Sequence, residues 1–233
     1  MRRESIAGLD VVVAGGTDRR GGGDGPLVVL LHGFGAPAED LVPLAWHMKL
    51  PPGTRFVCPG APLAMGMPFS DARAWWMIDV GRFERLRDES WTKETPPGLA
   101  EARDKVIGLL DACRTRLDAP AERTVLGGFS QGAMLSTDVA LRTELPLAGL
   151  VLFSGTIICE PEWAERMPAR RGFRVFQSHG AADPLLPYLF AERLRFMWEE
   201  AGADVTFVGF SGGHEIPPPA VAGAEKFLAD VLG

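Results

Sequence analysis

The chain predicts an α/β fold, a mainly parallel sheet with helices on both faces. Near-continuous apolar runs recur at 26–33 (PLVVLLHG), 54–62 (TRFVCPGAP), 123–129 (RTVLGGF), 147–155 (LAGLVLFSG), 173–180 (FRVFQSHG) and 205–210 (VTFVGF). A strand covered on both sides has no wet face, so it reads as an unbroken apolar run rather than an alternating one. Stretches of helical character at 39–48, 98–117, 131–144, 188–201 and 220–232 separate or follow these runs. Strand alternating with helix is the order that crossovers between parallel strands require. A length of 233 residues, 46% hydrophobic and 23% charged, suffices for one undivided core, so residues 1–233 read as a single domain.

The elements follow in order. The opening MRRESIAGLDVVV sets arginines before apolar residues as an export signal does, but Glu4 and Asp10 interrupt it, and VVV reads as a strand. GGTDRRGGGDG at 15–25 lacks the Gly-Lys-Ser/Thr ending of a phosphate loop and runs into a strand. No helix N-terminus would meet a phosphate there, and the segment reads as a mobile hairpin connection. Strand 26–33 leads to HGFG and the helix at 39–48. After strand 54–62 the chain makes a long excursion over 61–97, whose charged part at 81–95 reads as a solvated loop. Helix 98–117 follows. Strand 123–129 runs directly into helix 131–144, where Ala133, Thr137, Ala140 and Leu141 fall at helical spacing. The run from Leu147 to Cys159 is too short to span a bilayer and suits a buried strand. Strands 173–180 and 205–210 lead to Asp183 and His214, and helix 220–232 closes the chain.

A net charge of −6 and a pI near 5.3 offer phosphate backbones no attraction, which argues against nucleic acid as a partner. Three scattered cysteines, Cys58, Cys113 and Cys159, form neither a metal knuckle nor an even disulfide set, and a reducing cytoplasm fits them. The histidines His32, His47, His179 and His214 show no metal spacing, so no metal is expected. The oligomeric state, monomer or homodimer, is open.

The pattern G-x-S-x-G occurs twice, as GFSQG at 128–132 and GFSGG at 209–213. A nucleophile elbow needs a strand before the serine and a helix after it, with small residues where the two elements crowd together. Ser130 has both. Ser211 runs into GGHEIPPPA, where Pro217, Pro218 and Pro219 rule out a helix starting at the serine. Chain order separates them again. On an α/β-hydrolase sheet the triad runs nucleophile, acid, histidine, and only Ser130 is followed by an acid, Asp183, and then a histidine, His214. Serine needs an imidazole to take its proton and a carboxylate to orient that imidazole. His179, at the end of the strand before Asp183, competes for the base role and reads better as support for the acid's loop. Two backbone N–H donors should face the oxyanion, one from Gln131 and one from the HGFG loop at Phe34.

With these residues in view, the chain resembles the carboxylesterase/phospholipase group of α/β-hydrolases, which includes acyl-protein thioesterases. The resemblance rests on LLHGFGAPAEDLVPLA (30–45), GGFSQGAMLSTDVAL (127–141), SHGAADPLLP (178–187) and SGGHEIP (211–217), in the family's order over nearly the whole chain. It implies an α/β-hydrolase fold, Ser130, Asp183 and His214 as triad, Phe34 and Gln131 as oxyanion donors, and hydrolysis of carboxylic esters or thioesters without a cofactor. Ala36 stands where thioesterase members usually carry aspartate, Ala133 stands where they have a further glycine, and EDLVPLA is more similar to bacterial carboxylesterases.

The resemblance also sets the 61–97 excursion beside the serine. Any one of its Met65, Met67, Trp75 and Trp76 reads first as core packing, but as a group they suit the wall of an alkyl pocket, methionine being adaptable and tryptophan large and rigid, with Leu185 and Leu186 closing the other side. The function expected is a serine carboxylesterase acting on short to medium acyl esters. The alternatives are a lysophospholipase or acyl-protein thioesterase and, outside enzymes, a non-catalytic ligand-binding relative.

Overall fold

A computed structural model of the chain describes residues 1–66, 71–79 and 89–233. Its strands are β1 (Arg2–Ile6), β2 (Leu9–Gly15), β3 (Leu27–Leu31), β4 (Arg55–Pro59), β5 (Leu63–Ala64), β6 (Arg73–Ala74), β7 (Thr124–Phe129), β8 (Gly149–Phe153), β9 (Arg174–Gly180) and β10 (Asp204–Phe210). The helices are α1 (Leu44–His47), α2 (Leu99–Arg116), α3 (Gln131–Arg142), α4 (Glu160–Arg166), α5 (Tyr188–Glu200) and α6 (Pro218–Leu232). Among the described residues the main sheet has eight strands in the order β1-β2-β4-β3-β7-β8-β9-β10. Strands β4, β3 and β7 to β10 run parallel, and β2 pairs antiparallel with both β1 and β4. A two-stranded ribbon, β5 with β6, stands apart in the 61–97 excursion.

Period-two geometry splits the core into two layers. Leu27, Val29 and Leu31 of β3 face a cluster that includes Leu109 of α2, Leu135 of α3, Trp163 of α4 and Trp198 of α5. Val28 and Leu30 face the opposite cluster, with Leu44 of α1 and Phe227 and Leu228 of α6. Both faces of the sheet are therefore covered, and all five residues of β3 and of β8 are buried. Helix α3 is enclosed at every position from Gln131 to Leu141. Its one buried charge, Asp138, accepts hydrogen bonds from Arg103 (3.0 Å), Arg142 (2.9 Å) and the Trp163 indole (3.0 Å), so the helix enters the core without an unpaired anion.

Three expectations change. The helix read at 39–48 forms only over Leu44–His47, because the chain from Pro37 turns through i→i+3 bonds, Asp40 N–H to Pro37 O and Val42 N–H to Glu39 O. The glycine-rich segment 15–25 is no hairpin connection, since β2 pairs with β1 and β4 and never with β3. It is a crossing loop with its own local order, in which the Asp18 carboxylate accepts the N–H groups of Arg20 (2.7 Å) and Gly22 (2.8 Å). Helix α6 starts earlier than residue 220, at Pro218, since proline is tolerated in a first turn where no N–H is needed. Among the described residues, β1, whose RRES alternates half-buried and exposed, the ribbon strands β5 and β6, and α4 went unread.

Candidate active site

Strands β3, β7, β9 and β10 run parallel in the sheet, so their carboxyl ends lie along the same edge, the usual place for chemistry in an open α/β fold. At the end of β7 Ser130 has φ 53° and ψ −116°, a conformation that costs about 1–3 kcal/mol and persists only where neighbours over-determine it. They do. Ser130 N–H donates to Phe153 O (2.9 Å), and its carbonyl accepts from Ala133 (3.0 Å) and Met134 (3.1 Å) in the first turn of α3. A Cβ at Gly128 would lie 2.5 Å from Leu31 O, and one at Gly132 would lie 1.9 Å from the same oxygen. Only glycine lets strand, turn and helix close around the serine.

Asp183 sits in the turn after β9 and His214 in the loop after β10, and the two loops are stitched together by Ala181 N–H to Phe210 O (2.8 Å) and Ala182 N–H to Gly212 O (2.9 Å). His214 Nδ1 meets Asp183 Oδ2 at 2.7 Å. The other carboxylate oxygen accepts the N–H groups of Leu185 and Leu186, both at 2.9 Å. Burial alone would raise the Asp183 carboxyl, but donors from His179, His214 and the Leu186 N–H outweigh it and hold the group well below the usual carboxylate range. Asp183 is therefore an anion at any working pH. Its bond fixes the proton of His214 on Nδ1 and leaves Nε2 as the free face of the ring. The His214 ring packs 4.8 Å from that of Phe129, the residue before the serine.

Among the described residues the N–H groups of Phe34 and Gln131 donate no hydrogen bond. Gln131 is the first residue of α3, where an N–H has no intrahelical acceptor. The Phe34 loop is braced from two sides. Gly35 N–H donates to Arg73 O (2.9 Å) and Arg73 N–H to Ala36 O (3.2 Å), and the Arg73 guanidinium donates to Ala61 O. Behind it, His32 Nδ1 donates to Gly33 O (2.8 Å) while Nε2 accepts Ala61 N–H (2.9 Å). Burial, the dominant influence, pushes the His32 imidazole below its ordinary value. His32 is thus a neutral brace with both nitrogens used.

The fully buried Gln131 side chain closes the frame, its Oε1 accepting Trp75 N–H (3.0 Å) and its Nε2 donating to Trp76 O (2.8 Å). Sequence reasoning considered only the backbone of Gln131, and missed this clamp because its partners lie 55 and 56 residues away.

Ser130 and His214 line one cavity of about 590 Å³ with Phe34, Ile78, Phe129, Met134, Pro184, Leu185 and Leu186 as its apolar wall. Of the residues expected in that wall, Leu185 and Leu186 are there and Met67 lies outside the described residues. Trp75 and Met65 do not line it. Trp75 is 1% exposed and turns its indole N–H inward to His32 O (3.0 Å), because a buried indole must find an acceptor. Met65, the residue after β5, is half-buried beside Gly35. Trp76 lines a second cavity of about 220 Å³, which shares Ile78 and Met134 with the first. Met134 escaped the sequence reading although it stands four residues after Ser130, the spacing that puts two residues on one side of a helix.

A family model described as Phospholipase/Carboxylesterase matches residues 20–232. An acyl-protein thioesterase 1 from Mycosarcoma maydis is 32% identical over 223 residues, 87% of this chain and 89% of that protein. Among solved structures, esterase PE8 superposes with a TM-score of 0.80 at 27% identity, covering 96% of this chain and 99% of that one. The Bacillus cereus carboxylesterase shares the fold with a TM-score of 0.72 at 20% identity, over 96% and 94% of the two chains. With a family model spanning nearly its whole length and a relative this similar, the chain belongs to the phospholipase/carboxylesterase family of α/β-hydrolases.

Proposed function

We propose that this chain is a serine carboxylesterase that hydrolyses short to medium acyl esters through an acyl-enzyme intermediate. One observation carries the reading: Ser130 lines the same apolar cavity as His214, whose far nitrogen is tied to the anionic Asp183. In the reaction Ser130 Oγ attacks the ester carbonyl while His214 Nε2 takes its proton. Asp183 holds the imidazole in the required tautomer and stabilises the imidazolium. The N–H groups of Phe34 and Gln131 receive the oxyanion. His214 then protonates the departing alcohol, and water repeats the sequence to release the acid. No cofactor or metal takes part.

The acyl chain lies against Ile78, Met134, Leu185 and Leu186, and Arg73 and Ala61 brace the oxyanion loop. A cytoplasmic setting accords with three buried, unpaired cysteines, two of which, Cys58 and Cys113, have thiols pushed up to about 12 by burial. The second reading, lysophospholipase or acyl-protein thioesterase, is favoured by the thioesterase relative and by Leu185, a cavity-lining residue that is 58% exposed. Fluorophosphonate labelling with peptide mapping, followed by p-nitrophenyl esters of rising chain length, tests both. Label absent from Ser130 overturns the hydrolase reading, and activity that climbs to palmitoyl esters replaces the first substrate class with the second.

A further inference from the structure

His179 is buried beside the triad and has no part in the reaction just described. It is the next-to-last residue of β9, four residues before Asp183, and is 0% exposed. Nε2 lies 2.8 Å from Leu186 O and 3.3 Å from Asp183 Oδ2. Both neighbours are acceptors, so the proton belongs on Nε2 and is shared in a fork between them. Among the described residues the other nitrogen, Nδ1, has no partner. Tyr188, at the start of α5, packs edge-on against the ring at 6.1 Å.

We infer that His179 is a positioning residue for the triad acid, the second donor on the one oxygen of Asp183 that also holds His214. The inference rests on the triad reading above. Every lone-pair direction of the carboxylate then has a donor: Leu185 and Leu186 on Oδ1, His214 and His179 on Oδ2. Two consequences follow. The carboxylate cannot rotate away from His214, because Leu186 is held at both its N–H, by Asp183, and its carbonyl, by His179. The second donor also draws charge from Oδ2, which weakens its pull on the His214 proton.

Among the described residues Asp40 lines the same cavity as His214, its carboxyl raised by burial. His179 and His214 face Asp183, Tyr188 faces His179, and Glu215, next to His214, turns its carboxylate to Gly213 N–H at 3.3 Å. Removing the Nε2–H should raise the proton affinity of Asp183 and, through it, that of His214. The acid limb of the kcat/KM profile, which reports the free enzyme's base, should then move to higher pH.

The test compares His179→Gln, whose amide nitrogen reaches roughly where Nε2 lies, with His179→Asn, whose amide falls short of Asp183. In variants shown to be folded by circular dichroism and urea midpoint, Asn should lower kcat about ten- to hundredfold, the worth of one hydrogen bond to a charged group. Its KM should change little and its acid limb should shift upward, whereas Gln should restore most of both. Equal losses in Gln and Asn with an unmoved limb would mean packing alone, and wild-type kinetics in Asn would remove the role entirely. Failure of the underlying reading looks different: His214→Ala would stay active while the His179 variants lost all turnover.

Discussion

Two segments of this molecule share one pattern and do different things. At 128–132 GFSQG is an elbow, with Ser130 at φ 53° and backbone oxygen 1.9 to 2.5 Å from where a Cβ of Gly132 or Gly128 would stand. At 209–213 GFSGG is the exit of β10. Ser211 is exposed, no helix starts there, and a Cβ on Gly213 would meet nothing nearer than 3.8 Å. The first pair of glycines exists because strand and helix crowd the serine. In the second segment the glycine backbone serves the neighbouring loop, Gly212 O accepting Ala182 N–H (2.9 Å) and so docking the histidine beside its acid. A five-residue pattern is a permission, and the elements on either side decide how it is used.

The largest effect expected from this contrast is on the serines themselves. Ser130→Ala should lower kcat by about a millionfold, as loss of the nucleophile does in serine proteases, while Ser211→Ala keeps most of the activity. A fluorophosphonate adduct mapped to Ser211 would invert the comparison.

Next comes the acid that only the first serine has downstream. Asp183→Asn keeps the shape but offers a donor where His214 needs an acceptor, and the wrong tautomer costs about ten-thousandfold in kcat by the protease precedent. A folded Asn variant with near-normal kcat would point to a different carboxylate.

The glycines should separate on stability rather than rate. Gly132→Ala drives a methyl into Leu31 O and should cost about 3 kcal/mol or more, or prevent folding. Gly213→Ala has space and no positive φ, so its urea midpoint should stay within about 0.5 kcal/mol of the parent. Comparable losses in the two would show that crowding is not what distinguishes the segments.

The same contrast explains what could be read in advance. The central strands were legible because burial on both faces leaves only apolar residues in them, as in LVVLL and GLVLF. The edge was not: β1 wears a polar face, and the antiparallel pairing of β2 with β4 is a relation between distant segments that no local pattern encodes. At the site, chain order singles out Ser130, Asp183 and His214 as candidates, and the fold brings Ser130 and His214 into one cavity with Asp183 bonded to His214. The framing contacts could not be found that way, because Gln131 to Trp75 and Trp76, and Arg73 to the Phe34 loop, depend on tertiary geometry. Trp75 was misread for a related reason. Its composition suits a pocket wall, yet its indole N–H needed an acceptor, and the acceptor lies inward at His32 O.

The smallest expected effect concerns the helix that follows the elbow and has no counterpart after Ser211. Met134, one turn into α3, stands with Ile78 between the 590 Å³ cavity at the serine and the 220 Å³ cavity lined by Trp76 and Trp91. If this pair is the end wall for the acyl chain, kcat/KM should rise about fourfold per added carbon, near 0.8 kcal/mol for each CH₂ that enters. It should fall once the chain reaches Met134. Met134→Ala should open the wall and move the optimum to longer chains by a few carbons. Trp76→Ala alone should then do little, since the chain stops before reaching it, but should lengthen the optimum further in the Met134→Ala background. That non-additivity is the signature of two residues in series along one path. A shift in the Trp76→Ala single variant would mean that acyl chains already pass Met134, and the two cavities would have to be treated as one long groove.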